Sequence, residues 1–230
     1  MNLYVLLHLH PPSKSNSGED IELDSYSFQT VTCRMTSAIA ECIGVPIFQQ
    51  EISGSSVYTD MQYQYTKDDE VEDLFALLSK VKQQFPSVQG VSAGALFSEY
   101  QRNRVNHVCG RLDMVGLYPI WQTPQSQLVN DMIDLGLEAV IVKVASLGLN
   151  QKHLMKHLDD VLPHLCDLES KFGINVAGEG GEFETLSLFC PGLYKRRIVV
   201  DEYEVVVHSD DFSAPVCYVV IKKFHLEDVL

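Results

Sequence analysis

The chain has 230 residues, 46% hydrophobic and 21% charged, a composition that excludes a disordered tail or a fibrous repeat. A chain of this size buries about 70% of the surface that its unfolded form exposes, so it needs no disulfide framework. With 17 Lys and Arg against 31 Asp and Glu, the formal net charge is −14; such a surface repels phosphate backbones and anionic headgroups, which argues against direct nucleic-acid binding and against a membrane-surface role.

The elements follow from periodicity. Over the first two-thirds, short apolar runs alternate with amphipathic stretches, the pattern of β-α units feeding a parallel sheet. A strand is predicted at residues 4–9, then a polar loop at 13–20. A helix at 26–43 places Phe28, Val31, Met35, Ile39 and Cys42 on one face. Strands at 45–48, 90–96, 117–120 and 139–144 continue the series. Between the first two of these, a helix at 70–85 opens on Asp68, Asp69 and Glu70, acids that suit a helix N-terminus, and carries Val71, Leu74, Leu78 and Val81 as its core stripe. Thr123-Pro124 reads as an N-cap and first helical residue, with Gly136 closing that helix. A longer helical region at 151–172 is restarted or kinked at Pro163 and stopped at Gly173. Beyond Gly178, β-branched and aromatic runs at 186–189, 197–200, 203–207 and 216–221 read as antiparallel strands. The expected architecture is an α/β domain over 1–122 and a smaller α+β region over 123–230.

Nothing in the sequence calls for a compartment other than the cytoplasm. The amino terminus has no basic segment ahead of a long apolar run, and the best apolar stretch, 139–149, is interrupted by Lys143. Cys33, Cys42, Cys109, Cys166, Cys190 and Cys217 form no C-x-x-C pair, so reduced thiols are expected and a zinc ribbon is not.

The least ordinary string is Gly178-Glu179-Gly180-Gly181-Glu182-Phe183-Glu184-Thr185. Its glycines let backbone N–H groups approach a ligand, and its crowded carboxylates call for a cation or hydrogen-bond donors. Magnesium, ammonium or ribose hydroxyls would satisfy it, and so would a solvated turn with its charges in water. A second string, Gly94-Ala95-Leu96-Phe97-Ser98-Glu99-Tyr100-Gln101-Arg102, leaves a strand and enters a helix, where open α/β sheets bind ligands. Ser98 and Gln101 have capping-box spacing. Arg102 and Arg104 oppose the dipole of a first helical turn, which a nearby anion would reconcile. Asp24 or Ser25 reads as a helix cap. His153, His157 and His164 share a helical face without a recognised ligand spacing, so no metal site is assigned. Trp121 reads as a core aromatic or a base-stacking surface. No G-x-G-x-x-G, P-loop, G-x-S-x-G or H-E-x-x-H occurs.

Several strings together resemble one family. Leu23-Asp24-Ser25-Tyr26, Tyr65-Thr66-Lys67 followed by Asp69-Glu70-Val71-Glu72-Asp73-Leu74, Gly94-Ala95 with Tyr100-Gln101-Arg102, Leu147-Gly148-Leu149 and Glu179-Gly180-Gly181-Glu182 look like the diphthine-ammonia ligases. The resemblance covers the whole chain, down to Val206-Val207-His208-Ser209 and Ala214-Pro215-Val216. It implies a carbon-nitrogen ligase that amidates diphthine on translation elongation factor 2 to diphthamide with ammonia, using ATP with Mg²⁺ and releasing AMP and pyrophosphate. The implied nucleotide site comprises Ser25, Tyr26, Gly94, Tyr100, Gln101 and Arg102, with Gly180, Gly181 and Thr185 from the glycine loop. Glu179, Glu182 and Glu184 would hold ammonium or magnesium.

One departure from the family pattern is also legible. Family members begin with a strand, the phosphate-cradling Ser-Gly-Gly-Lys-Asp-Ser loop and a helix, whereas residues 4–9 here match their second strand. The implied fold is thus a Rossmann-like, adenine nucleotide alpha-hydrolase-like parallel sheet lacking its first β-α unit, with a β-rich carboxy-terminal region. Low catalytic power is expected, because phosphate positioning supplies much of the rate in such chemistry. The alternative function is a non-catalytic module that docks on the elongation factor.

Overall fold

The computed structural model describes residues 3–10, 35–211 and 213–229. In chain order they form β1 (Leu6–His10), α1 (Thr36–Ile43), β2 (Ile47–Glu51), α2 (Glu70–Gln84), β3 (Gly90–Ser92), α3 (Glu99–Arg111), β4 (Val115–Leu117), α4 (Gln125–Asp134), β5 (Glu138–Val144), α5 (Leu158–Phe172), β6 (Phe183–Phe189), β7 (Arg196–Ser209) and β8 (Val216–Asp228). The residues fall into two units, one of 3–10 with 45–122 and the other of 35–44 with 123–229.

In the first unit, β1 pairs in parallel with β2, and β3 pairs in parallel with β4. Parallel neighbours need a crossover, and α3 supplies it between β3 and β4. The apolar stripe of α2 is buried as its spacing predicts: Val71, Leu78 and Val81 join Val108 of α3 among the least exposed side chains. Leu7 of β1 and Val91 of β3 pack on the same cluster, made by Tyr63, Val71, Leu78 and Val108.

The acidic start of α2 does more than complement the helix dipole. Asp69 caps the helix by accepting from the Val71 N–H at 3.0 Å, while its other oxygen accepts from Val57 and Tyr58 N–H at 3.1 and 2.8 Å. Asp73 accepts from the N–H groups of Ser53 and Gly54, both at 2.9 Å, and from the Ser53 hydroxyl at 2.6 Å. Glu70 takes the Ser56 hydroxyl at 3.0 Å. All three carboxylates are buried, so backbone amides and hydroxyls replace the water they lose. Gly54 is required here: a Cβ would lie 2.6 Å from the Asp69 carbonyl carbon.

Arg104 then ties α3 to the same loop. Its guanidinium donates to the carbonyls of Tyr58, Asp60 and Tyr100 and lies 3.1 Å from the centroid of the Tyr100 ring. Glu72 of α2 makes a two-toothed pair with Arg111 of α3 at 2.8 and 2.9 Å and also accepts from the Tyr63 hydroxyl.

The second unit is a four-stranded sheet in the order β6-β5-β8-β7, antiparallel throughout. Here the structure corrects the sequence reading, which placed 139–144 in the parallel sheet. β5 is buried at nearly every position, with Ile141, Val142 and Val144 fully enclosed. A run of that kind looks the same in a parallel or a buried antiparallel sheet, and only its partners decide. The strands predicted at 197–200 and 203–207 are one long β7, which keeps pairing with β8 through register shifts around Glu202.

Helix ends shift modestly. Pro124, not Thr123, occupies the N-cap of α4. The helical region expected at 151–172 is a 3-10 turn at Gln151–His153 and then α5, which begins at Leu158 and carries Pro163 inside it. β3 ends at Ser92 and β4 at Leu117, because residues 118–122 turn back, with Trp121 N–H on the Tyr118 carbonyl. Of the helix expected at 26–43, residues 36–43 are seen as α1; Phe28 and Val31 lie outside the described residues.

Asp69→Ala should cost about 2 kcal/mol of stability, since it removes a helix cap and two further bonds from the part-buried Val57 and Tyr58 N–H groups; chemical denaturation of both proteins measures it. Burial, aided by the charge of His10, lowers the pKa of His8 to about 4. Its folded pKa lies below the unfolded value near 6.5, so the unfolded chain takes up the proton first and stability falls as pH drops from about 6.5 to 4. Thermal melts across that window should show a shallower loss for His8→Asn.

Candidate active site

Two clusters contain the residues singled out from sequence, one in each unit. In the first unit, β3 runs out through Ala93 and Gly94 into the N-terminus of α3. The Ala93 N–H still bonds the Leu117 carbonyl at 3.0 Å, and Ala95 and Leu96 are buried. The backbone at Gly94 faces open space, with no atom within 4 Å of where a Cβ would sit. Ser98 caps α3, its hydroxyl accepting from the Gln101 N–H at 3.2 Å. That contact is the capping half that the Ser98-Gln101 spacing predicts.

Arg102 is the basic group at this helix start, where Glu99 is the acidic one. Its guanidinium lies over the Trp121 ring at 4.5 Å and the Tyr118 ring at 5.5 Å. Neighbouring aromatic faces stabilise a cation without neutralising it. The Arg102 Nε is buried and has no hydrogen-bond partner among the described residues. Tyr118 is fixed behind it, its hydroxyl within 3.1 Å of the Arg102 carbonyl and 2.8 Å of Asn106 Oδ1, and burial pushes the phenol pKa up to about 12. Gln122 N–H closes this turn onto the Leu96 carbonyl at 2.8 Å. Trp121 thus serves as a platform for an arginine. Arg104, which the sequence grouped with Arg102, turns the other way and is explained by carbonyls and aromatic rings without an anion. Tyr100 is its stacking partner, and Gln101 supplies the capped N–H.

In the second unit, the glycine loop folds on itself around Glu182. One carboxylate oxygen accepts from the Asn175 N–H at 2.9 Å and the Asn175 amide at 2.7 Å; the other accepts from the Gly180 N–H at 2.8 Å. The Glu182 carbonyl receives the Ala145 N–H at 2.8 Å, which fixes the loop to the end of β5. Gly178 has φ +76° and a Cβ there would meet the Phe183 carbonyl oxygen at 2.8 Å; at Gly180 a Cβ would meet Glu182 and Asn175 at 2.7 Å. Those glycines therefore answer to the loop's own geometry. Gly181 and Glu179 lie on its exposed side. Glu184 and Thr185 have already entered β6, opposite Lys143 and Ile141 of β5, and the Lys143 ammonium sits 3.5 Å from the Glu184 carboxylate.

The sequence reading missed two members of this cluster, Asn175 and Gln125. Gln125 opens α4 and holds the loop from the other side, donating to Asn175 Oδ1 at 2.8 Å and accepting from the Ala177 N–H at 3.0 Å. Neither carries a charge or a motif, so only the fold brings them to notice. Ser25 and Tyr26, with Asp24, lie outside the described residues. His153 and His164 stack face to face, with centroids 4.9 Å apart, and His157 occupies the N-cap position of α5 without a side-chain capping bond. Among the described residues, no group of three His, Cys, Asp or Glu side chains is arranged to hold a metal ion.

Parallel strand pairs joined by crossover helices, with an antiparallel sheet after them, define an α/β protein of the adenine nucleotide alpha-hydrolase-like class. The diphthamide synthase N-terminal domain matches residues 18–116 and its C-terminal domain matches residues 124–224. The chain is 44% identical over 228 residues to the diphthine–ammonia ligase of Danio rerio, covering 99% of this chain and 88% of that protein. It is 46% identical over 218 residues to that of Homo sapiens, covering 94% and 80%, and 43% identical over 218 residues to that of Schizosaccharomyces pombe, covering 95% and 34%. The chain belongs to the diphthine–ammonia ligase family.

The loop makes a direct prediction. Glu182→Ala should release the Asn175 and Gly180 amides and speed their hydrogen exchange by about tenfold or more, whereas Glu179→Ala, on the exposed side, should leave both unchanged.

Proposed function

We propose that this chain is an ATP-dependent carbon-nitrogen ligase that amidates diphthine on translation elongation factor 2 with ammonia, in the cytoplasm, as the amidating step of diphthamide synthesis. The observation that carries this reading is the 46% identity over 94% of the chain to the human diphthine–ammonia ligase.

The chemistry sets the requirements. A carboxylate is a poor electrophile, and ATP, when bound with Mg²⁺, supplies the adenylyl group that makes it an acyl donor. The protein must then position the partners and stabilise charge on phosphorus. The residues at the head of α3 fit an anion: Gly94 leaves its backbone open to close approach, the helix N-terminus points its dipole there, and Arg102 keeps an unsatisfied buried N–H. In this reading Gly94, Tyr100, Gln101 and Arg102 hold the phosphates, and the family resemblance adds Ser25 and Tyr26, which lie outside the described residues. Tyr118 and Trp121 hold the guanidinium in place from behind.

The glycine loop has the complementary task of handling ammonium. Glu182, with both oxygens engaged inside the loop, acts by shaping it. Glu179 and Glu184 are the carboxylates assigned to ammonium or magnesium, and Gly180, Gly181 and Thr185 are assigned to the nucleotide by the family resemblance alone.

Isothermal titration with ATP and Mg²⁺ tests the assignment, alongside AMP release in the presence of ammonium and diphthine-bearing elongation factor. Arg102→Ala should weaken ATP binding about tenfold to a hundredfold, and Arg102→Lys should recover part of it because a point charge replaces a planar fork. Undiminished binding in Arg102→Ala would remove that residue from the site. An absence of ATP affinity with intact binding to the elongation factor would favour the docking-module function instead.

A further inference from the structure

Gly116 has a role that strand geometry does not explain. It lies at the centre of β4 and pairs with Val91 of β3, a position where glycine forfeits backbone entropy and side-chain packing. Its φ is not left-handed, so conformation does not demand it. Space does: a Cβ at position 116 would collide with the Tyr118 hydroxyl and stand 2.6 Å from Asn106 Oδ1. The missing side chain is what lets the Tyr118 hydroxyl reach Asn106 of α3.

Asn106 follows Arg102 by one turn of α3, on the same face of the helix. The Tyr118 hydroxyl spans the two, donating to Asn106 Oδ1 at 2.8 Å and lying 3.1 Å from the Arg102 carbonyl. The ring tethered in this way lies 5.5 Å from the Arg102 guanidinium and meets the Trp121 ring edge-on, with centroids 6.4 Å apart. Trp121 is the other wall of the cradle, 4.5 Å from the guanidinium. Its turn is held separately, by the Gln122 N–H on the Leu96 carbonyl with Gln122 at φ +59°. Tyr118 is therefore the wall whose place depends on Asn106 and Gly116.

We infer that Asn106 and Gly116 are positioning residues for the anion held by Arg102: Asn106 tethers the Tyr118 ring, Gly116 leaves room for it, and the ring fixes the guanidinium before the anion arrives. This role rests on the reading of Arg102 as a phosphate ligand. A loose arginine side chain samples many rotamers and gives up that freedom on binding. One already seated between two rings gives up little, so the same contacts bind more tightly. Neither Asn106 nor Gly116 needs to touch the anion, because the effect passes through Tyr118.

Trp121 is the one tryptophan of the chain, so its fluorescence reports on this cradle alone. The intact 230-residue chain is titrated with ATP and Mg²⁺ and followed by Trp121 emission. Gly116→Ala drives a methyl group against Tyr118, and Asn106→Ala removes the tether while keeping a strong helix former. Each should raise the Kd for ATP about tenfold and shift the emission of the ligand-free protein. Gly110→Ala is the control, a glycine of α3 with no atom within 4 Å of its added Cβ, and should bind as the parent chain does. The deciding measurement is the double variant. On an Arg102→Ala background, Gly116→Ala and Asn106→Ala should each change the Kd by less than about twofold, since the group they position is gone. An equal tenfold loss, about the same on both backgrounds, would overturn the proposal, because it marks a general loosening of the fold. A folded Gly116→Ala or Asn106→Ala protein with parental affinity would overturn it as well. If Arg102→Ala itself binds ATP as the parent does, the phosphate reading of Arg102 falls, and the positioning role falls with it.

Discussion

The first unit depends on three buried carboxylates at the start of α2. Asp69, Glu70 and Asp73 take their hydrogen bonds from Ser53, Gly54, Ser56, Val57 and Tyr58, so the loop after β2 is folded around the helix that follows it. Arg104 is in turn seated on carbonyls of that loop, and with it the helix that carries Arg102. A chain of buried polar contacts thus runs from the first turn of α2 to the head of α3. Buried carboxylates without partners would be intolerable, and here the satisfied set fixes one conformation of a long loop.

The same logic holds in the glycine loop. Glu182 gathers donors from Asn175 and Gly180, and Gln125 braces Asn175. Gly178 is needed because a side chain there would collide with the Phe183 backbone, and a side chain at Gly180 would push on Glu182 and Asn175, so these two answer to the loop and not only to a ligand. Motif residues in both units therefore divide into those that build a loop and those that the loop presents. Arg102, cradled on Trp121 and Tyr118 with an unsatisfied N–H, belongs to the second kind, and Glu182 belongs to the first.

Much of the secondary structure was legible from local pattern. The stripe Val71, Leu78, Val81 and the acids ahead of it marked α2, Ser98 marked the start of α3, and Gly173 the end of α5, because caps and helical periodicity are short-range. The site was legible only as strings. Arg102 and Arg104 looked alike in sequence, since both follow closely on a helix start; a difference of two positions turns them to different faces, one toward Trp121 and the other toward Tyr58.

The sequence by itself determined the helices, the acidic surface, the change to β-rich texture after Gly178 and the family resemblance, all of which are carried by residue types at short spacing. Tertiary structure decided that β5 pairs antiparallel with β6 and β8, that β1 pairs in parallel with β2 and β3 with β4, and that Asn175 and Gln125 hold the glycine loop. The physical reason is common to these cases. A strand's own residues state how deeply it is buried, but its hydrogen-bonding partners are distant in sequence, and an uncharged amide acquires a role only from the groups that the fold sets beside it.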